Sequence, residues 1–400
     1  MAEAADYPML LLRRGEDRRL RAGHLWVFSN EVDVQRTPLD RFSPGEAVLI
    51  ADHTGRVLGS GYVNPHSLIC ARLLDRHAHP LDRSLVTHRL NIALSLRQRI
   101  YPTPHYRLVF GDSDGLPGLT VDRFGQVLVA QATTAGMQAL REEVDAALVK
   151  VLAPDVVVWK NDSSARRLEG LDDEVFCSVG EPPSHVEVME SGCRFHVDGL
   201  HGQKTGWFFD QRDNRDRVMP WLRDSRVLDL FCYAGGWGVR AACAGASSVD
   251  CVDGSADAVD AVMRNAALND VTDRVTATRA DAFEFLRDAR QNRSRWDAVV
   301  VDPPAFVKRK KDFKEGALAY RRINEAAMQV LDRDGLLVSL SCSHHMPRAV
   351  LLETLQAAAR HLDRQLQVIA SLQQASDHPV HAAIPETDYL KGFVCRVLPS

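Results

Sequence analysis

Short apolar runs, each ending at glycine or polar residues, recur through the second half of the chain. They occupy residues 227–230, 248–252, 275–277, 298–301 and 335–340. Segments with helical periodicity lie between them, including residues 256–269 and 317–331. Strands that are apolar on both faces belong to parallel sheets covered by helices. The pattern therefore predicts an α/β fold with a doubly wound, Rossmann-like sheet over residues 199–400.

The first half of the chain has shorter runs and closer turns. Residues 10–12, 47–50, 57–58 and 68–70 are apolar and are separated by Pro, Gly and Asn, which predicts a small β-barrel over residues 1–75. Leucines at helical spacing over residues 81–100 predict a helical connector over residues 76–104. Strand patterns at 107–110, 118–121, 127–130 and 156–159, a helical pattern at 137–151 and a hairpin at 186–189 and 193–197 predict a small α/β central domain over residues 105–198.

Length and composition limit the function classes. A chain of 400 residues exceeds one ordinary core, so several domains are expected. No apolar run reaches the roughly 18 residues of a membrane span, and the first residues lack a secretory pattern. We therefore expect a cytoplasmic location and no membrane partner. The net charge of −4 does not indicate a nucleic-acid partner for the chain as a whole, and the eight cysteines include no C-x-x-C pair, so no metal site is predicted.

The first strand of the predicted sheet ends in a glycine-rich turn. Asp229 precedes the turn, and Gly235, Gly236 and Gly238 allow the backbone to approach a ligand at the start of the next helix. A Gly-x-Gly-x-x-Ala pattern also runs over residues 236–241, as in dinucleotide sites. Asp253 ends the next strand, where an acid binds ribose hydroxyls in both kinds of site. The turn alone leaves a methyl donor and a dinucleotide open.

Acids also follow two further strands. Asp281 follows the third strand, where it could accept a hydrogen bond from an adenine amine, although Asp is also a common helix N-cap. Asp302 is followed by Pro303 and Pro304, which stiffen the chain and fix the carboxylate at the strand end. The four acids together favour S-adenosylmethionine (SAM) as the cofactor. A nicotinamide-dependent oxidoreductase is kept as an alternative.

The chain resembles a known family over nearly its full length. The matching segments are residues 204–215 (KTGWFFDQRDNR), 229–236 (DLFCYAGG), 302–306 (DPPAF), 341–343 (SCS) and 389–392 (YLKG). They are similar to the class I SAM-dependent methyltransferases that methylate cytosine C5 in large-subunit (23S) ribosomal RNA, and the N-terminal part resembles a PUA domain. The resemblance implies ribosomal RNA as partner and cofactor contacts from the segment 204–211. With the strand ends, the predicted cofactor contacts are Lys204, Thr205, Phe208, Asp210, Gln211, Asp229, Phe231, Ala234, Gly235, Gly236, Asp253, Ser255, Asp281, Ala282, Asp302 and Pro303.

Cys342 selects the atom that would be methylated. Cytosine C5 is a poor nucleophile, but a thiolate that adds to C6 turns C5 into an enamine-like carbon that can take a methyl group. We predict Cys342 as this nucleophile because it ends the strand beside the one that carries Asp302, and because it matches the family's Ser-Cys-Ser motif. Asp302 would bind or protonate the N3 side of the base. A packed thiol at a strand end is the simpler interpretation of a lone cysteine.

The chain departs from the commoner RNA cytosine-C5 enzymes at one point. Those enzymes carry a second cysteine just after the proline of the Asp-Pro motif, where this chain has Pro304 and Ala305. The base that removes the C5 proton is therefore unassigned, with His344 and His345 as nearby candidates. The alternative activity is methylation of an exocyclic amine (guanine N2 or adenine N6), which needs no cysteine and uses an Asp-Pro-Pro-aromatic motif. Ala305 displaces the aromatic residue to Phe306, which weakens that alternative.

Two basic segments are candidates for RNA binding. One follows the Asp302 strand end, and the other lies in the predicted barrel near Trp26 and Phe28, a mixture that suits phosphate contacts and base stacking. The target base would have to leave its stack to reach the site. The predicted RNA-binding residues are Lys308, Arg309, Lys310, Lys311, Arg18, Arg19 and Arg21. The target nucleotide and the oligomeric state stay open, with a homodimer as one option, and a non-catalytic RNA-binding factor is the remaining alternative.

Overall fold

The computed structural model describes residues 6–198 and 205–399. By its internal contacts the chain divides into two units. The first unit comprises residues 1–186, 198–207 and 377–387, and the second comprises residues 187–197, 208–376 and 388–400. In the described ranges, no helix combines the length and the apolar character that crossing a membrane requires. The finer boundaries at residues 75, 104 and 198 stay a prediction of the sequence.

The first unit begins with a five-stranded sheet around an apolar core that includes Leu10, Val48, Ile50 and Leu73. A short helix, α1 (Arg18–Arg21), follows the first strand. The strands β1 and β3 pair in parallel, and the other neighbours are antiparallel. In the order β1-β3-β4-β5-β2, the strands are β1 (Met9–Leu11), β2 (Trp26–Val27), β3 (Glu46–Ala51), β4 (Val57–Val63) and β5 (Ala71–Asp75).

The strand predicted at residues 68–70 is wrong. Asn64 N donates a hydrogen bond to Cys70 O (2.7 Å), and the Asn64 side chain accepts one from His66 N (3.1 Å), which closes a loop over these residues. Pairing between β4 and β5 begins only at Val63 and Ala71. The turn chemistry of Asn64-Pro65 therefore overrides the apolar character of the residues that follow.

A second five-stranded sheet follows the helix α2 (Arg83–Ile100) in the first unit. Only β8 and β9 pair in parallel. The helix predicted at residues 137–151 is two helices, because the backbone leaves helical geometry at Leu140 (ψ 8°). The sequence pattern misses β10, a partly exposed edge strand. In chain order the elements are β6 (His105–Phe110), β7 (Leu119–Phe124), β8 (Val127–Ala132), α3 (Ala135–Ala139), α4 (Arg141–Leu152), β9 (Val156–Asn161), α5 (Ser164–Leu168) and β10 (Glu174–Val179).

The strands β11 (Val186–Glu190) and β12 (Cys193–Val197) form a two-stranded hairpin, as the sequence predicts. Its turn residues Ser191 and Gly192 both have positive φ angles (49° and 86°). Two positive φ angles match the twist of antiparallel strands joined by a two-residue turn. The turn thus fixes the register that places Glu190 at the end of β11.

The second unit contains a seven-stranded sheet in the order β15-β14-β13-β16-β17-β19-β18. The five strands predicted from apolar runs are present and pair in parallel. The last two strands were not indicated by the sequence pattern, and β19 runs antiparallel to both of its neighbours. In chain order the elements are α6 (Arg212–Val218), β13 (Arg226–Leu230), α7 (Gly238–Cys243), β14 (Ser248–Asp253), α8 (Ala256–Leu268), β15 (Val275–Arg279), α9 (Ala282–Gln291), β16 (Trp296–Val301), α10 (Phe313–Val330), β17 (Leu331–Ser341), α11 (Arg348–His361), β18 (Arg364–Gln373) and β19 (Lys391–Pro399).

The order of this sheet defines where a ligand would bind. The strands β14 and β15 lie on one side of β13, whereas β16 and β17 lie on the other. Open α/β sheets bind ligands outside the carboxyl ends of the strands at such a switch point. Leu230 of β13 is opposite Val301 of β16, so Asp229 and Asp302 reach the same edge of the sheet.

Candidate active site

Asp229 is a fully buried acid at the centre of this edge. Its Oδ2 accepts a hydrogen bond from Gly238 N (2.8 Å), while Oδ1 has no partner among the described residues. Burial, with added repulsion from Asp302 and Asp253, raises the pKa of Asp229 to about 8. A buried carboxylate oxygen without a donor fits a ligand that brings its own N–H or O–H group.

The turn after β13 has an unusual backbone. Phe231 and Tyr233 have φ angles of 61° and 49°, a region that side chains other than glycine seldom adopt. At Gly238, an added Cβ would lie 2.3 Å from Cys251 Sγ and 3.1 Å from Asp229 Oδ2. Only glycine therefore allows the α7 N-terminus to reach the acid. Left-handed residues of this kind concentrate at ligand sites, where the surrounding structure offsets their strain.

Asp253 ties this turn to the next strand. Its carboxylate accepts hydrogen bonds from Tyr233 N (3.0 Å) and Ser255 N (2.9 Å). Ser255 is in turn the N-cap of α8, where its hydroxyl accepts from Ala258 N (3.4 Å). The acid is half-buried at the end of β14. The structure thus gives Asp253 a role in shaping the turn, and its predicted ribose contact stays a prediction.

Asp281 is the N-cap of α9, the simpler of the two roles considered for it. Its exposed carboxylate accepts from Phe283 N (2.9 Å) and Glu284 N (3.1 Å). Phe283 is exposed beside it, whereas Ala282 is buried. A carboxylate that caps a helix still has lone pairs that can accept further hydrogen bonds. The cap is therefore compatible with the predicted adenine contact, which stays a prediction.

Asp302 follows β16, and among the described residues Gln211 and Trp237 donate hydrogen bonds to it. Gln211 Nε2 donates to its Oδ2 at 2.9 Å, and Trp237 Nε1 donates to the same oxygen at 3.1 Å. Gln211 is itself fixed by Asn214 Nδ2, which donates to Gln211 Oε1 (2.7 Å). From the sequence, Gln211 is predicted as a cofactor contact, and no role is predicted for Trp237. The position of Trp237 between two glycines of the turn is the sequence feature that could have indicated its contact with the site.

Cys342 lies just after β17, against the Asp-Pro-Pro segment. Its partly buried Sγ is 3.8 Å from the carbonyl oxygen of Pro303. The serines on either side are fully buried, and both contact the hydroxyl of Tyr320 on α10 (2.9 Å each). The thiol therefore sits on a short segment whose two flanks are fixed. The sequence analysis did not identify Tyr320.

The predicted cofactor contacts in residues 204–211, before α6, do not all lie at this edge of the sheet. Phe208 packs edge-on against Tyr233 of the turn, with ring centroids 5.4 Å apart. Asp210 is buried and accepts a hydrogen bond from the hydroxyl of Tyr389. Thr205 belongs to the first unit, where its hydroxyl donates to Asp122. Lys204 lies outside the described residues, so no position can be given for it.

The two predicted RNA-binding segments differ in how their charges are used. Lys308, Arg309, Lys310 and Lys311 are all exposed on the chain that follows Asp302. In the first unit, Arg19 pairs with Glu31 (2.7 Å), and Arg21 pairs with Asp17 and Asp52. Phosphates would have to compete with these carboxylates, so the segment after Asp302 is the more available of the two.

One group of three potential metal ligands, Asp75, His77 and His79, occurs among the described residues. It belongs to the first unit and contains none of the predicted site residues. Asp75 already accepts from His77 N (2.8 Å) and lies 3.6 Å from Arg89.

Replacing Asp229 with asparagine should change how stability depends on pH. Because the folded pKa of Asp229 is raised to about 8, the folded state keeps a proton that the unfolded chain releases at lower pH. The contribution of this proton to the free energy of unfolding is fully present at pH values below the pKa of Asp229 in the unfolded chain. It is lost as the pH rises towards 8, by about 1.4 kcal/mol per pH unit. We expect the thermal midpoint of Asp229→Asn to exceed that of the wild type by an amount that grows from pH 5 to pH 8. Asp257→Asn, at an exposed position of α8, is the control; a constant difference at Asp229 would contradict the prediction.

Comparisons with known proteins place the chain in a family. Residues 10–76 match a PUA-like domain, and residues 136–382 match an S-adenosylmethionine-dependent methyltransferase. Proteins named ribosomal RNA large subunit methyltransferase I are similar over their whole length. That of Vibrio cholerae is 36% identical over 399 residues (98% of this chain, 100% of the relative), and that of Salmonella arizonae is 37% identical over 401 residues (98% of each).

Solved structures share the fold. A Streptococcus mutans protein assigned as a SAM-dependent methyltransferase superposes with a TM-score of 0.82 at 19% identity, covering 97% of this chain and 100% of that chain. A structure described as a methyltransferase complexed with SAH gives a TM-score of 0.83 at the same identity and coverage. The predicted fold class and the predicted cofactor, SAM, are confirmed. The chain belongs to the S-adenosylmethionine-dependent methyltransferase family and carries a PUA-like domain at its N-terminus.

Proposed function

We propose that this protein methylates C5 of a cytosine in the RNA of the large ribosomal subunit, with Cys342 as nucleophile. The RNA class is supported by the name of relatives whose full length the chain matches at 36–37% identity. The atom specificity is supported by one observation: Cys342 Sγ lies 3.8 Å from the carbonyl oxygen of Pro303, the residue next to Asp302. A thiol and a carboxylate at adjoining strand ends are two of the groups that cytosine C5 chemistry requires.

The proposed reaction begins when the Cys342 thiolate adds to C6 of the cytosine. Sulfur supplies the electron pair of the new S–C6 bond, and the pair of the C5=C6 bond is drawn towards N3, where Asp302 donates a proton or a hydrogen bond. When bound, SAM would supply an electrophilic methyl group to C5, its S–CH3 bond breaking so that it leaves as S-adenosylhomocysteine. A base then takes the C5 proton, the C5=C6 bond reforms, and the thiolate leaves. The N3 proton returns to Asp302, and no residue is assigned to the base.

The side chains around Asp302 fix its orientation. Gln211 and Trp237 both donate to Oδ2, so the carboxylate is oriented before any base arrives. Preorganised hydrogen bonds of this kind remove the need to reorient the group during the reaction. The left-handed turn and the four acids around it would hold the cofactor: we assign Asp253 to the ribose and Asp281 to the adenine amine.

The exocyclic-amine alternative is less consistent with the packing. The motif expected for that chemistry has an aromatic side chain directly after Asp-Pro-Pro. Here Phe306 packs against Tyr320 and Phe231 instead, with ring centroids 4.9 Å and 6.5 Å apart. The partly buried ring is therefore engaged by side chains of the core beside α10, and Ala305 offers no stacking surface.

The direct test is mass-spectrometric mapping of large-subunit ribosomal RNA from cells with and without this protein. We expect the deletion to remove one methyl group from a cytosine carbon, and purified protein with SAM to restore it. Loss of a methyl group from a base amine would contradict this proposal and support the exocyclic-amine activity instead. A complete set of marks in the deletion strain would remove the ribosomal RNA substrate from the proposal.

The basic segment after Asp302 should contribute to RNA affinity by neutralising phosphates. Replacing Lys308, Lys310 and Lys311 with glutamine should weaken RNA binding at least tenfold near physiological salt, and should lower the slope of log affinity against log salt by roughly 0.7 for each phosphate that is no longer neutralised. Fluorescence anisotropy at several salt concentrations measures both quantities. The matched control replaces three exposed arginines near the end of α9, Arg287, Arg290 and Arg293. Equal slopes for the two triple variants would exclude a specific role for the segment.

A further inference from the structure

Lys391 is a buried lysine that the proposed reaction leaves unused. It is the first residue of β19, and it is only 5% exposed. Among the described residues, its Nζ makes one hydrogen bond, to the carbonyl oxygen of Ser343 at 2.7 Å. An ammonium group has three donors, and burying one is unfavourable unless its charge is compensated. Besides this carbonyl, the charges of Asp388 and then of the Cys342 thiolate favour the ammonium form.

The nearby group is the Cys342 thiol. Lys391 on β19 is opposite Ser341 on β17, and its side chain donates to the carbonyl oxygen of Ser343. Cys342 lies between these two serines, so Lys391 contacts the chain on both sides of the thiol. On the same segment, Ser343 Oγ accepts from Val307 N (3.1 Å), and both serines contact Tyr320. Lys391 therefore holds the peptide between Ser343 and His344, one residue beyond Cys342, while Tyr320 holds the serines on both sides of the thiol.

The electrostatic environment of Lys391 agrees with this position. Burial lowers the pKa of Lys391 to about 8, whereas the charges of Asp388 and the Cys342 thiolate raise it and that of Arg348 lowers it. The interaction between two charges is mutual, so an ammonium that the thiolate stabilises also stabilises the thiolate. A cation beside a cysteine is the usual means by which proteins increase the thiolate fraction.

We propose that Lys391 is a positioning residue for Cys342, which fixes the Ser-Cys-Ser segment through the Ser343 carbonyl and stabilises the thiolate form of the nucleophile. This proposal deepens the proposed function by giving the means by which the thiol is activated. It concerns the thiol itself, so it is measurable without RNA and without turnover.

The experiment follows the alkylation of Cys342 by iodoacetamide from pH 6 to pH 10, with the modified peptide quantified by mass spectrometry. Lys391→Gln keeps a donor for the Ser343 carbonyl but removes the charge. We expect its midpoint to move upward by about one pH unit, which makes alkylation near pH 7 about tenfold slower. Lys391→Arg should restore the wild-type midpoint, because it restores the charge. Cys243, an exposed cysteine of the same unit, is the internal control, and the extent of its alkylation at each pH should be the same in the wild type and the variants.

A second variant separates the electrostatic role from a structural one. Tyr320→Phe removes the hydroxyl that holds both serines but leaves the ammonium in place, so we expect it to leave the midpoint unchanged. The remaining charged or titratable groups around the thiol are the same in all Lys391 variants: Asp302, His344, His345, Arg348, Asp388 and Tyr320.

The outcomes are distinct. A wild-type midpoint in folded Lys391→Gln, or an equal shift in Tyr320→Phe, would overturn the role of Lys391. If Lys391→Gln does not fold, a wild-type midpoint in Lys391→Arg supports the proposal and a raised one overturns it. Failure of the cytosine C5 assignment would instead be seen in the RNA map, while the alkylation profile stayed as expected.

Discussion

Substitution of Cys342 by alanine is expected to lower the rate of RNA methylation by roughly a thousandfold or more, with SAM binding unchanged. Without the thiolate, C5 keeps the low nucleophilicity of an aromatic carbon, and the remaining groups only bind and orient the reactants. The side chain lies after β17 and its Sγ contacts the Pro303 carbonyl, so its removal leaves the turn after β13 intact. Methyl transfer from labelled SAM measures the rate, and calorimetry measures SAM binding.

The control for this variant is Cys243→Ala, because Cys243 is an exposed thiol in the same unit. It should keep wild-type activity. A second measurement detects the covalent intermediate: RNA that carries 5-fluorocytosine cannot lose a proton from C5, so the wild type should form an adduct that survives denaturing gels, and Cys342→Ala should form none. Near-normal turnover of Cys342→Ala would end the covalent mechanism and leave the amine alternative in the lead.

The sheet that carries the site could be predicted from the sequence because its strands are buried on both faces. An uninterrupted run such as residues 298–301 has few alternatives once helical patterns flank it. The acids were found for a related reason: each stands where such a run stops, and parallel strands bring those ends to one edge. Asp229 and Asp302 therefore met at the predicted place even though they are far apart in the sequence.

Side-chain partners across the fold could not be predicted in the same way. Gln211 and Trp237 converge on one oxygen of Asp302 from two different segments, and nothing in their own surroundings indicates this. The same holds for Lys391, because β19 enters the sheet antiparallel and out of chain order. Residues 377–387 join the first unit although the segments before and after them belong to the second. Such contacts depend on topology, which a local pattern does not contain.

The largest effect on stability is expected from Glu190, which is fully buried at the end of β11. Its carboxylate accepts two hydrogen bonds from Arg215 (2.6 Å and 2.7 Å) and one from Arg240 (2.8 Å), and Arg212 lies 3.8 Å away. Burial alone would raise the pKa of Glu190, but the charges of these arginines outweigh it and hold the pKa well below its usual range. The acid thus compensates several buried cations at once, and they lie on the helices α6 and α7 that flank the site.

Glu190→Ala should therefore lower the free energy of unfolding of the second unit by about 3–5 kcal/mol at pH 7, because it removes the buried carboxylate that these guanidinium groups share. Arg240 keeps its ion pair with Asp216 (2.6 Å) in this variant. A carboxyl group whose pKa is lowered by folding stabilises the protein at pH values above its pKa in the unfolded chain. This stabilisation is lost as the pH falls through the pKa of the folded state. The difference from the wild type should accordingly shrink in acid, as measured by denaturant unfolding at pH 7 and pH 4. Glu187→Ala is the matched control on the same strand: its carboxylate pairs with Arg194 at the surface (2.8 Å), and its loss should cost less than about 1 kcal/mol. Equal destabilisation by the two substitutions would show that the buried network contributes no more than a surface ion pair.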